Sequence, residues 1–270
     1  KKYGQHIMAA WPEEAISNMT RADGEIMGVM RSSPVTPYPI FIREDWLAKY
    51  SLEFPKTLDE LENILKVFLE NDPAGNGMTI PLIADLTGLN MGLSAGFTGK
   101  GYGRFVDEDG LVKPVELLPA YKDFIARMAD WYEKGYIYAE SFSSNRAIYN
   151  EMIVQGNIGA TAYWYSLVTL RSPYLTAQQP EAKYITGEIR TELGLTESHT
   201  YGSSSGGLVP KTSKNVDAVI KFIDWQYASA ENHLIADSGI LDKHWKYVDK
   251  ENMIVEVITT EAYIGEYVAS

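Results

Sequence analysis

The 270-residue chain contains no cysteine. That excludes a disulfide scaffold, a thiolate metal site and a cysteine nucleophile, and it leaves the compartment unassigned by redox chemistry. Histidine is scarce, with 4 residues, which argues against a His-rich catalytic metal centre. No apolar run approaches the ~18 residues that a membrane span needs. Positive charge is also short: 24 Lys and Arg stand against 36 Asp and Glu, a net charge of −12. Such a surface repels phosphate backbones and argues against nucleic-acid binding. Hydrophobic residues at 45% and charged residues at 22% match a globular chain rather than a disordered or fibrous one. The length fits one large domain or two lobes. The chain opens on Lys1-Lys2-Tyr3-Gly4, without Met or an apolar leader, and ends on Glu261 to Ser270 without a helix stop. The expectation from both ends is a piece of a longer chain.

Along the chain, Ile26 to Met30 reads as a short buried strand. Pro34, Pro37 and Pro39 follow, forcing an extended crossing that lacks ladder donors, as an inter-lobe linker would. Ile40-Phe41-Ile42 is strand-like. Thr57-Leu-Asp-Glu60 is a capping box, and Leu61, Ile64, Leu65 and Phe68 form one apolar helical stripe that Asn71-Asp72-Pro73 ends. Thr79 to Ile83 is the next strand. Residues 87–113 are rich in glycine without clear periodicity, and Asp107 to Gly110 resembles a hairpin turn. Further helices are expected over 119–134, ending at Gly135, over 144–155, ending at Gly156, and from Asn215, burying Val219, Phe222 and Ile223. Asn157 to Tyr163 is a strand between them. Strand and helix alternate, which defines an α/β architecture.

Several segments invite chemistry. Gly202-Ser-Ser204-Ser-Gly206 matches G-x-S-x-G, but a strand-like Gly207-Leu-Val-Pro210 follows where a nucleophile elbow needs a helix. It is read as a Gly/Ser loop. Gly99-Lys-Gly101-Tyr-Gly103 lacks the spacing and the following helix of a phosphate cradle. Asp107, Glu108 and Asp109 sit in a polar turn, solvated, and do not form a glycosidase pair. Asp72 and Asn76 occupy positions 1 and 5 of a partial calcium loop, with Gly77 at position 6. Positions 3 and 9 are Ala74 and Ile80, without side-chain oxygens, so a helix-stopping turn is expected and calcium is the lesser alternative.

The aromatic content is more informative. Tyr, at 18, greatly exceeds Phe, at 8, and Tyr and Trp suit surfaces apolar on one side and wet on the other. Tyr163-Trp164-Tyr165 follows a strand whose carboxyl end should open into a cleft. There the flat indole of Trp164 would stack on a sugar ring, while strand alternation sends one or two of the three into the core.

The segment Ile42-Arg43-Glu44-Asp45-Trp46-Leu47, the helix start Pro55 to Glu60, the loop Asp72 to Gly77 and the strand Ile80-Pro81 occur in an order that resembles the extracellular solute-binding proteins of ABC importers, in the saccharide-binding lipoprotein and alginate-oligosaccharide-binding branch. Asp23-Gly24 to Gly28, Trp131-Tyr132 to Ile137, Gly156 to Ala160, Gly207 to Pro210, Ala218 to Trp225 and Gly239-Ile240 extend the likeness over about residues 10–250. Two departures stand out: Met27 replaces a family tyrosine, and the calcium loop is degraded.

The resemblance implies a periplasmic-binding-protein-like (type II) two-lobed α/β fold with a hinge, lacking the start of lobe 1 and the C-terminal end. Residues 1–38 would belong to lobe 1, 39–185 to lobe 2, 186–240 to the return into lobe 1, and 241–270 to a crossing segment. It implies a non-enzymatic receptor for a sugar or oligosaccharide, working with a membrane permease as a monomer. The location would be the extracellular face, by a lipid anchor, or the periplasm. No cofactor is implied beyond the doubtful calcium. Trp164 and Tyr163 are expected to stack on ligand, Tyr38 to sit at the crossing, and Asn90, Arg31, Tyr201 and Ser203 to supply hydrogen bonds. The alternatives are a carbohydrate-active hydrolase and a receptor for peptides or another solute on the same fold.

Overall fold

A computed structural model describes residues 2–11, 13–30, 37–143, 146–198, 206–210 and 212–258. In chain order it opens with helices α1 (Gln5–Ala10) and α2 (Glu13–Asn18) and strands β1 (Val29–Met30) and β2 (Ile40–Arg43). Next come α3 (Glu44–Lys49), α4 (Leu58–Asn71), β3 (Ile80–Ile83), α5 (Leu86–Leu89), a π turn over Asn90–Ser94 and α6 (Ala95–Thr98). A hairpin of β4 (Arg104–Val106) and β5 (Val112–Pro114) precedes α7 (Pro119–Glu133), α8 (Arg146–Gln155), β6 (Ile158–Ala162) and α9 (Tyr165–Gln178). After them run β7 (Tyr184–Thr186), β8 (Arg190–Thr191), β9 (Gly194–Leu195), β10 (Gly206–Gly207), α10 (Val216–Tyr227), α11 (Ala230–Ser238), β11 (Trp245–Asp249) and β12 (Ile254–Val257). The chain divides into two compact units, one of residues 34–200 and one of residues 1–33 with 201–270.

The 34–200 unit is built on a four-stranded mixed sheet in the order β3-β6-β2-β7. β6 runs parallel to β3 and antiparallel to β2. β2 and β6 are buried along their whole length because both faces are covered. On one face Ile40, Ile42, Leu82 and Ala160 pack against α4 and α7. On the other, Phe41 and Ile83 meet Tyr149, Ile153, Leu167 and Val168 of α8 and α9. α4 starts as the sequence predicts: the Glu60 amide donates to Thr57 Oγ1 at 3.2 Å. The Glu60 carboxylate reaches one residue further back than a capping box requires, accepting from the Lys56 amide at 2.6 Å. Its stripe Leu61, Ile64, Leu65 and Phe68 is sealed in the core. α7 opens with Pro119 in its first turn, and Gly135 follows it at φ 80°. Asp107 to Gly110 closes the β4–β5 hairpin as expected.

Two local expectations are corrected, and one helix is added. The glycine-rich stretch from residue 86 is helical, with Gly88, Gly92 and Gly96 recurring every four residues on one face without side chains, where neighbouring segments approach the backbone closely. A Cβ at Gly88 would lie 2.1 Å from the Ala162 carbonyl oxygen, and one at Gly92 would lie 3.1 Å from the Tyr38 carbonyl oxygen. α9 has Pro173 in its interior. An interior proline costs about 3 kcal/mol, which burial of Leu167, Val168 and Leu175 offsets. Ile26 and Met27 are exposed, so Ile26 to Met30 is not a buried strand: Ile26 makes an isolated antiparallel bridge to Thr20, and Val29 and Met30 pair antiparallel to Gly206–Gly207.

In the other unit, α1 packs against α10, and its first turn is capped from far along the chain. The Asp224 carboxylate accepts from the amides of His6 at 2.8 Å and Ile7 at 3.0 Å and contacts His6 Nδ1 at 2.8 Å. Phe222, expected in the core, is 57% exposed and stacks on Trp225, since α10 turns Val219 and Ile223 only partly inward. Burial alone would raise the Asp224 carboxyl, but those two amides and the His6 ring hold it below its ordinary value of 3.8. A depressed carboxylate stabilises the fold above its unfolded pKa, and that contribution disappears as pH falls through the folded pKa. Asp224→Ala should therefore cost about 1–2 kcal/mol at pH 7. The melting-temperature gap to the parent should close in acid, below 3.8; a gap that stays constant down to acid unfolding would remove this cap from the account.

Candidate functional site

Two places in the described structure could receive a ligand. A cavity of about 260 Å³ in the unit of residues 1–33 and 201–270 is lined by residues such as Ile7, Trp11, Ile26, Val29, Val216 and Ile220, without a charged or hydroxyl side chain. A hydroxyl-rich ligand there would leave its polar groups unpaired, at about 1–3 kcal/mol each. The other place is the edge of the four-stranded sheet where three segments emerge together. β3 and β6 are parallel neighbours, so the residues after each leave from one edge. β2 is antiparallel to β6 with Ile40 opposite Ala162, so the residues before β2 start at that same edge. Open α/β sheets present ligand crevices at the carboxyl ends of their strands.

Tyr38, residues 84–90 and residues 163–165 thus converge. The backbone locks them: the Tyr165 amide donates to the Pro37 carbonyl at 3.1 Å, and the α5 turn lies on the end of β6 through Gly88. Trp164 is 39% exposed, with Tyr38 edge-on to it at 5.7 Å and Tyr165 tilted against it at 5.7 Å. Tyr163 turns the other way. It is buried and stacked on Tyr149 at 4.9 Å, so it supports the edge from the core instead of offering a ring to solvent. Alternation along the end of β6 separates the two.

Asn90 is likewise buried. Its Oδ1 accepts from the Tyr121 hydroxyl at 2.8 Å and its Nδ2 donates to the Leu86 carbonyl at 2.8 Å, so it ties the π turn to α7. Arg31, Tyr201 and Ser203 lie outside the described residues, as does most of the Gly202 to Gly206 loop. Sequence reasoning missed Asp85, the half-buried N-cap of α5, whose Oδ1 accepts from the Gly88 amide at 2.6 Å. The signal was present as a helix-cap residue directly after a strand.

Bacterial extracellular solute-binding proteins form the class that this fold and edge define, and the chain belongs to that family: its model matches residues 9–232. The chain is 25% identical over 253 residues to Lipoprotein LipO of Bacillus subtilis (strain 168), covering 88% of this chain and 50% of that protein. It is 32% identical over 124 residues to the fructooligosaccharide ABC transporter substrate-binding protein FusA of Streptococcus pneumoniae serotype 4, covering 43% of this chain and 22% of that one. The crystal structure of alginate-binding protein AlgQ2 without calcium ion shares the fold at TM-score 0.62 and 22% identity, over 97% of this chain and 55% of that one. The chain spans at most about half the length of these relatives.

Calcium does not fit the Asp72 to Gly77 turn. Asp72 accepts from Thr79 Oγ1 at 2.6 Å and from the Gly77 amide at 2.8 Å, one donor on each oxygen, and these donors hold its carboxyl below the ordinary value. Asn76 Oδ1 accepts from the Met78 amide at 3.0 Å, and its Nδ2 donates to Asn157 Oδ1 at 3.0 Å. Ala74 and Ile80 supply no oxygen, and position 12 of the pattern is Ile83, sealed in the core. Among the described residues, no three His, Cys, Asp or Glu side chains converge elsewhere. Asp107 and Asp109 both pair with Lys113 across their hairpin, as structural residues do.

Proposed function

We propose that the chain is the ligand-capturing part of an extracytoplasmic, lipid-anchored receptor that binds a sugar or oligosaccharide and hands it to an ABC permease without chemical change. The observation that carries this reading is Trp164: a large apolar ring left open at the carboxyl ends of parallel strands, braced by Tyr38 and backed by the Tyr163–Tyr149 stack. An indole face matches the C–H face of a pyranose or furanose ring, while hydroxyls at the rim need hydrogen-bond partners. Capture works by closure of two lobes. A ligand that touches both only when they are shut shifts the open–closed equilibrium by its differential affinity, and the permease reads the closed shape. In this reading Trp164 and Tyr38 touch ligand, Arg31, Tyr201 and Ser203 supply hydrogen bonds, and Tyr163 and Asn90 hold the frame.

Trp164→Ala should weaken saccharide binding at least about tenfold, because a central aromatic anchor commonly contributes 2 kcal/mol or more. Calorimetry against a panel of neutral oligosaccharides checks it, and unchanged affinity would take Trp164 out of the site. A hydrolase would release reducing ends from the same panel, whereas a receptor releases none.

A further inference from the structure

Beneath the aromatic edge, on the side that faces the core, three oxygens have no hydrogen-bond partner among the described residues. Tyr149 is 1% exposed and Ser141 is fully buried, and the Tyr149 hydroxyl and Ser141 Oγ are two of the three. The third is Oδ2 of the half-buried Asp85, whose Oδ1 accepts from the Gly88 amide at 2.6 Å. Buried polar side-chain atoms are in large majority paired, so this group calls for a partner. The three oxygens come from separate segments. Extending the parallel register Ile83↔Thr161 by two residues sets Asp85 alongside Tyr163, on whose ring Tyr149 stacks at 4.9 Å. Ile137 bridges Leu82 in parallel, so the turn that ends at Ser141 runs out beside β3, toward the start of α5. Both neighbours are felt at the Tyr149 hydroxyl. Burial, and then the Asp85 charge, raise it above the usual tyrosine range, while Ser141 opposes the rise.

We infer that Asp85, Ser141 and Tyr149 form a binding site for one internal water, which ties the start of α5 and the turn before α8 to α8 itself, beneath the Tyr163 ring. The neutral Tyr149 phenol is a donor, and Asp85 Oδ2 is an acceptor. They lie close enough to interact electrostatically, yet Tyr149 makes no direct hydrogen bond. A donor and an acceptor so placed are what a bridging water satisfies. Internal waters typically make about three hydrogen bonds. Here the water accepts from the Tyr149 hydroxyl and donates to Asp85 Oδ2 and Ser141 Oγ, so each of the three oxygens gains one partner. The choice of aspartate fits this role. Capping α5 takes one oxygen, which serine would supply equally well, and the second carboxylate oxygen serves the water. The site stands whatever ligand the edge above it takes.

A high-resolution crystal structure of the full chain should show one solvent peak about 2.5–3.0 Å from all three oxygens. A direct hydrogen bond from Tyr149 to Asp85 or Ser141, with no such peak, overturns the inference. Thermal unfolding tests it in solution. Tyr149→Phe keeps the ring and its stack on Tyr163 and removes one arm of the site. Asp85→Ser keeps an oxygen for the Gly88 amide and removes another. Each should lower the melting temperature by about 2–4 °C, the size of one hydrogen bond in a chain of this length. The double variant should fall little further than the larger single loss, because both changes release the same water. A hydroxyl without a water gives the opposite sign: Tyr149→Phe would then leave the melting temperature unchanged or raise it, and the site would be dismissed. Losses that simply add in the double variant also overturn it, since Asp85 and Tyr149 would then act separately.

Discussion

Replacing Arg43 with Met should lower the unfolding free energy by about 3–5 kcal/mol, the cost of breaking a buried ion pair from one side. Arg43 is 2% exposed at the end of β2, with the guanidinium in a two-pronged contact with Asp45: Nε donates to Oδ1 and Nη2 to Oδ2, both at 2.7 Å. Nη1 donates to the Gly156 carbonyl at 3.0 Å and Nη2 to Gln179 Oε1 at 3.1 Å, while the Trp46 ring lies 4.8 Å from the guanidinium carbon. One side chain thus joins β2, the turn before β6 and the end of α9. Methionine fills much of the volume but leaves the Asp45 carboxylate, the Gly156 carbonyl and the Gln179 amide without their donor. Urea unfolding of parent and variant measures the loss. A second replacement, Asp45→Leu, should restore part of it, because the carboxylate is then no longer left unpaired. A loss below about 1 kcal/mol would show that water replaces the guanidinium and that the hub is not structural.

Gly88→Ala is the second large effect, and it reaches the proposed site. The added Cβ would sit 2.1 Å from the Ala162 carbonyl oxygen, a backbone atom at the end of the central strand that cannot rotate aside. The change gains about 1 kcal/mol of helix propensity. That does not offset overpacking against backbone, which falls at or above the upper end of about 1–3 kcal/mol. α5 must lift from β6, shifting the segment of residues 84–90 that converges with Trp164 at this end of the sheet. The expected result is a lowered melting temperature together with at least about tenfold weaker saccharide binding, since a displacement of about 1 Å is enough to spoil a preorganised site. Normal affinity in a folded variant would mean that the α5 turn takes no part in binding.

Much of the frame was legible before any coordinates. The Thr57 cap, the Leu61 to Phe68 stripe, Gly135 after α7 and the Asp107 to Gly110 turn are local codes, in which each signal lies within a few residues of the structure it specifies. The order of motifs from Asp23 to Ile240 was equally readable, and it pointed to the family whose model the chain matches. What failed to show did so for identifiable reasons. The row Gly88, Gly92, Gly96 carries no hydropathy, so its four-residue period offers no apolar stripe to read although it marks a close approach. Period alone places Phe222 in the core, and period does not reveal which stripe of a helix meets a partner.

The sequence by itself determined that the aromatic triplet Tyr163-Trp164-Tyr165 follows a strand and that cysteine chemistry has no residue to act through. Only the tertiary structure decided that Trp164 faces out while Tyr163 faces in and that Asn90 serves the frame. Those outcomes depend on the register of β6 against β2 and β3, strands far apart in the chain. Shifting that register by one residue would exchange every inward and outward side chain, and the register is set by how the two buried faces pack together, which no local run of residues encodes.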